Sequence, residues 1–160
     1  MTSGSIMKGL VALFSLGLAL NVAWAQDRKP YDEAANARQD VQAALKAAKV
    51  ENKAVLLVFG ANWCGDCKVL DMEMHQVNLA RLVNERLIVV KVDVGRFDRN
   101  LDVAGQYGKI LKKGVPSVAL VRADGSVAYQ TDGGELADAR KMGRDGITQF
   151  FTAMLEKVKL

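Results

Sequence analysis

Apolar positions along the chain recur with two different periods. Over residues 32–50, Val41, Ala44, Leu45 and Ala48 fall on one helical face, with Arg38, Asp40, Gln42 and Lys46 elsewhere, which predicts an amphipathic helix. Residues 54–59 (AVLLVF) form an unbroken apolar run, too short for a globular helix and rich in strand formers. Such a run suits a strand buried on both faces of a sheet. A second helix is predicted from Cys64 to about Gln76, a short one over 78–84, and a second strand over 87–94 (LIVVKVDV). Strand, helix, strand in that order is a βαβ unit with a right-handed crossover.

The pattern then shortens. Residues 101–107 suit a brief helix, and two strand-like runs, 117–122 and 126–130, flank Ala123, Asp124 and Gly125, a hairpin signal. A final amphipathic helix, capped by Asp145, buries Ile147, Phe150, Phe151, Met154, Leu155 and Val158. The sum is an α/β fold, a central mixed sheet with helices on both faces. Residues 131–146 receive no assignment.

The first 25 residues stand apart. Lys8 and the amino terminus precede a short apolar run, 9–22, and Ala23, Trp24 and Ala25 give the small-x-small pattern of a cleavage site. The run is shorter than the roughly 20 residues that span a bilayer. The expectation is a signal peptide over 1–25, cut after Ala25, and one exported domain over 26–160; an uncleaved anchor is the alternative. A bacterial periplasm fits best. With Lys8 removed, 21 basic residues face 18 acidic ones, a balance of +3. Apart from Lys109, Lys112 and Lys113, the basic residues are scattered among acids. That argues against nucleic-acid binding, which concentrates them on one face.

The two cysteines, Cys64 and Cys67, lie three positions apart. A bridge between them closes a tiny loop, removes little entropy from the unfolded chain, and staples almost nothing. Reactivity is the better reason for the pair. Cys64 opens a helix, where unpaired N–H groups and the macrodipole favour a thiolate. On this reading Cys64 attacks a disulfide and Cys67, one turn on, resolves the mixed disulfide. The position, at the end of a central strand, is where sites of open α/β sheets collect.

Trp63-Cys64-Gly65-Asp66-Cys67 at a strand-to-helix junction, followed by Gly114-Val115-Pro116, resembles the thioredoxin superfamily from about residue 55 to 129. The resemblance implies the thioredoxin fold, no bound cofactor, and a Pro116 that is cis and lies against the cysteines. It also implies that the backbone of Val115 pairs with substrate in a strand-like way and that Lys91 is partly buried near the site. Departures stand out. Asp66 replaces a proline, Val58 stands where thioredoxins carry a buried aspartate, and Gly60 where they often carry a tryptophan.

Asp66 complements the helix dipole. It also sits beside Cys64, where a like charge disfavours the thiolate and leaves the disulfide comparatively stable. Such a couple donates electrons, so the direction expected is reduction, with a disulfide-introducing oxidant as the alternative. Its carboxylate is also a candidate proton shuttle to Cys67. Trp63 and Gly65 complete the tuning set, Trp63 as a rim.

Two rival classes remain. Met72, Met74 and His75 with the cysteines suggest Cu(I) handling. Met72 and Met74, however, point about 200° apart on a helix and cannot easily share one ion. Zinc lacks ligands, and no metal site is assigned. A non-redox peptide-binding module would keep its affinity with Cys64 replaced by serine, whereas an oxidoreductase would lose turnover. The reading is a monomeric thiol:disulfide oxidoreductase acting as a disulfide reductase on exported client proteins. It would be recharged by an unidentified redox partner, a membrane electron donor.

Overall fold

Strand β1, Ala54–Gly60, is buried at every position and alternates its side chains between two cores. Val55, Leu57 and Phe59 enter one; Ala54, Leu56 and Val58 enter the other. A strand with both faces apolar must lie mid-sheet, and β1 does. The computed structural model describes residues 29–160, so the expected signal peptide and its cut after Ala25 lie outside the described residues. The sheet order is β2-β1-β3-β4, with β2 at Leu87–Asp93, β3 at Ser117–Val121 and β4 at Val127–Gln130. β1 pairs parallel with β2 and antiparallel with β3, which pairs antiparallel with β4. The sheet is mixed, as the sequence implied.

Helices cover both faces. α1 (Ala37–Glu51) and α4 (Leu101–Gly105) pack on the first core. α2 (Gly65–Met74), α3 (Val77–Arg86) and α5 (Ala139–Val158) supply the second. Asp124 Oδ1 closes the β3–β4 turn by accepting the Ser126 N–H at 2.8 Å, with Gly125 at φ 91°.

Several boundaries differ from the sequence expectation. α1 starts at Ala37, not Asp32. Asp32 spends its side chain on the Ala34 N–H at 2.9 Å, closing a local turn, and Asn36 caps the helix by accepting the Gln39 N–H at 3.1 Å. α2 stops at Met74 because the His75 ring Nδ1–H donates to the Asp71 carbonyl at 2.6 Å, occupying the acceptor that would continue the helix. α3 runs longer than 78–84, and α4 ends two residues short of 107. β2 and β3 each stop one residue early, and β4 starts one late.

The largest difference lies in the segment without an assignment. α5 begins at Ala139 and is interrupted at Gly143 (φ 62°, ψ −173°), two residues before the expected cap Asp145. A φ in this left-handed region suits glycine. The face named for the last helix is nonetheless the buried one, with Phe150 half-buried. Leu136, ahead of this helix, is fully buried, so the segment packs rather than loops out.

Candidate active site

Cys64 is the N-cap of α2 in extended conformation (φ −80°, ψ 112°), and its Sγ accepts the Cys67 N–H at 3.1 Å. A sulfur at a cap replaces the usual hydroxyl or carboxylate, so the helix start that needs an acceptor also stabilises a thiolate there. Cys64 and Cys67 are joined as a disulfide with Cα atoms 5.2 Å apart. Both cysteines are buried, Cys64 at 5% exposure and Cys67 at 1%, so the second is the more enclosed of the two.

The Val115–Pro116 peptide is cis, as the resemblance implies. The Val115 carbonyl oxygen lies 3.6 Å from Cys64 Sγ, able to accept from the thiol once the bridge is reduced. Val115 itself is buried. Trp63 is 51% exposed, donates its Nε1–H to the Gly95 carbonyl at 2.7 Å, and meets Phe97 edge-on at 6.1 Å.

Asp66 is not a free carboxylate beside Cys64. Arg140 donates its backbone N–H to Oδ1 at 2.9 Å, its Nε–H to Oδ1 at 3.2 Å and its Nη2–H to Oδ2 at 3.0 Å. Partial burial pushes the Asp66 carboxyl up, but the hydrogen bonds and charge of Arg140 outweigh it and hold the group below its ordinary range. The sign follows: a carboxyl depressed in the fold contributes stability above its unfolded value and loses it only as pH falls through the lower folded one. The pair is therefore charged at neutral pH. The guanidinium also crosses Gly65, where an added Cβ would lie 3.4 Å from Arg140 Nη1.

Lys91 pairs across the β1–β2 register with Val58, and its ammonium reaches Asp71 on α2, which is 5% exposed. The strand carries no acid at Val58; Asp71, on α2, is the buried carboxylate that Lys91 meets. At Gly60 the space is taken by Tyr31. An added Cβ there would lie 2.1 Å from the Tyr31 Oη and 3.0 Å from Cys67 Sγ, so the phenol occupies the space against the inner sulfur. Burial pushes the Tyr31 phenol well up, and the Asp71 and Asp93 carboxylates add to this, so it stays a neutral O–H.

Met74 is buried in the second core, whereas Met72 is 42% exposed. Among the described residues no group of three His, Cys, Asp or Glu side chains is placed to hold a metal. The sequence reading did not single out Tyr31 or Arg140. Arg140 lies 74 residues from Asp66, and such an ion pair leaves no local signature.

A profile of the Thioredoxin-like family matches residues 36–123, more than half the chain. The chain belongs to the thioredoxin-like family. A solved disulphide isomerase from Xylella fastidiosa Temecula1 is 48% identical, with a TM-score of 0.77, over 79% of this chain and 97% of that one. The oxidised C-terminal domain of DsbD from Neisseria meningitidis is 25% identical, with a TM-score of 0.54, over 74% and 96%. Thioredoxin from Bacillus subtilis (strain 168) is 32% identical over 87 residues, 54% of this chain and 75% of its own. Across the thioredoxins matched, the shared stretch covers from 33% to 75% of the relative's length. Family membership, the reactive spacing and the bridged pair at a helix start make this chain a thiol:disulfide oxidoreductase.

Proposed function

We propose that the protein works as a disulfide reductase on exported client proteins, in a bacterial periplasm. The observation that carries the direction is the surroundings of Cys64 Sγ. It meets one N–H donor and one carbonyl oxygen, while the flanking charges, Asp66 and Arg140, neutralise each other. Strong oxidants of this chemistry stabilise their reduced thiolate. A sulfur given one N–H and the end of a short helix gains less, which favours the disulfide form and hence electron donation.

The cycle balances as follows. The Cys64 thiolate attacks one sulfur of a client disulfide, forming a mixed disulfide and expelling the other client sulfur as thiolate. Cys67, deprotonated, attacks Cys64 Sγ, expelling the second client thiolate and closing the Cys64–Cys67 bridge. The client gains two electrons and takes up two protons. A dithiol partner returns two electrons to the bridge, and a membrane donor suits an oxidising compartment. Val115, at the cis turn beside Cys64, offers its backbone to an extended client segment, a mode tolerant of sequence.

The likeness to a disulphide isomerase supports a second reading. Isomerisation uses the same Cys64 attack but returns the electrons within one client. Equilibration in graded glutathione buffers separates reduction from oxidation. A potential near thioredoxin's, about −270 mV, supports the reductase, and one near about −120 mV overturns it in favour of a donor of disulfides.

A further inference from the structure

We propose that Arg140 is a positioning residue for the thiol chemistry, clamping Asp66 so that its charge does not further oppose ionisation of Cys64. This rests on Cys64 being the attacking thiol. Asp66 lies in the first turn of α2, two residues from the nucleophile, where a bare carboxylate would oppose a thiolate. The clamp is built rather than incidental. Its three N–H donors, one of them main-chain, fix the carboxylate in a forked geometry, and the Asp66 side chain is only 14% exposed.

The segment carrying Arg140 is fastened at a second point. Arg144 Nε donates to Glu73 Oε2 at 3.3 Å. Asp66 and Glu73 are seven residues apart on α2, two turns along one helical face, so the two arginines grip both ends of the active-site helix. Between them Gly143 takes the left-handed φ that breaks α5 and lets residues 139–142 lie along α2. The clamp thus gives residues 131–146 a role: they deliver a cation to the inter-cysteine acid.

Other charged groups bear on this end of the fold. Glu33 and Asp93 share Arg99, and Asp71 holds Lys91. Lys68 lies on α2 itself, Lys112 and Lys113 precede the Pro116 turn, and Arg96 neighbours the Trp63 acceptor Gly95. A difference measurement within one pair removes their common contribution.

The test is a pH titration of the thiolate ultraviolet absorbance of the reduced protein, for wild type, Arg140→Met, Asp66→Asn and the double variant. Arg140→Met should lower the Cys64 ionisation constant about three- to tenfold, the effect of one unmasked charge a few ångströms away at intermediate dielectric. With Asp66→Asn already present, Arg140 has lost its anchor and its largely exposed side chain turns into solvent, so the same change should do much less. Arg140→Lys, which keeps the charge but loses the fork, should fall between and guards against a folding defect in Arg140→Met. An unmoved ionisation constant in Arg140→Met would reduce the pair to a surface contact. Equal shifts with and without Asp66 would make Arg140 a lone cation and overturn the clamp. The titration reads ionisation differences among variants, whereas the reductase reading is judged by the wild-type potential in glutathione buffers, so the two fail on separate measurements.

Discussion

Replacing Cys64 with serine should lower thiol–disulfide turnover by roughly a thousandfold or more, while the protein remains folded. The reason is chemical rather than structural. The hydroxyl takes over the cap on the Cys67 N–H, a role serine fills well, so α2 keeps its start. What is lost is a sulfur that ionises near neutral pH and can bond to another sulfur. The bridge it removes closes a loop of only three residues' separation, and its loss from the unfolded-state entropy is small. A thermal midpoint within a few degrees of the reduced wild type, together with absent turnover, is the expected pair of results. Retained turnover would remove Cys64 from the mechanism.

The second large effect falls on stability. Gly60→Ala should cost about 3 kcal/mol, the upper end for forcing a methyl into a packed core, and lower the thermal midpoint by about 10 °C. The methyl would meet the Tyr31 Oη at 2.1 Å and Cζ at 2.4 Å. Tyr31 has little room to retreat. It is 3% exposed, and its backbone is held by Asn62, whose Oδ1 accepts the Tyr31 N–H at 3.0 Å and whose Nδ2–H donates to the Tyr31 carbonyl at 2.8 Å. Asn62 directly precedes Trp63, so the strain passes to the active-site turn. Gly105→Ala is the control. Nothing lies within 4 Å of its added Cβ, and it ends α4, so it should be neutral or slightly stabilising. Equal midpoints for both variants would show that Tyr31 moves aside freely.

These two residues also mark how far sequence reasoning reaches. The strand AVLLVF announced its central place because both faces are apolar, and the cysteine pair announced its chemistry because spacing and helix start are local properties. The proline at 116 was legible for the same reason: a proline entering a strand needs a positional cause. Tyr31 was not legible, because it meets Gly60 across 29 residues and its own neighbourhood reads as a polar lead-in. Arg140 was hidden in the same way, and with it the true state of Asp66. Read alone, Asp66 is a charge against a thiolate; in the fold it is half of a salt bridge. The start of α1 shows competition at short range. Asp32 and Asn36 are both good caps, and the choice depends on which side chain closes its own turn first.

Turnover by this chain requires an order of events at the two sulfurs, Cys64 first and Cys67 second. The most direct test is to incubate Cys67→Ser with a disulfide-bonded client and locate the adduct by peptide mass spectrometry. The expected product is a stable mixed disulfide on Cys64, which accumulates because the enclosed second sulfur is no longer there to resolve it. Failure of Cys64 to form any adduct under conditions where wild type reduces the same client would contradict that order.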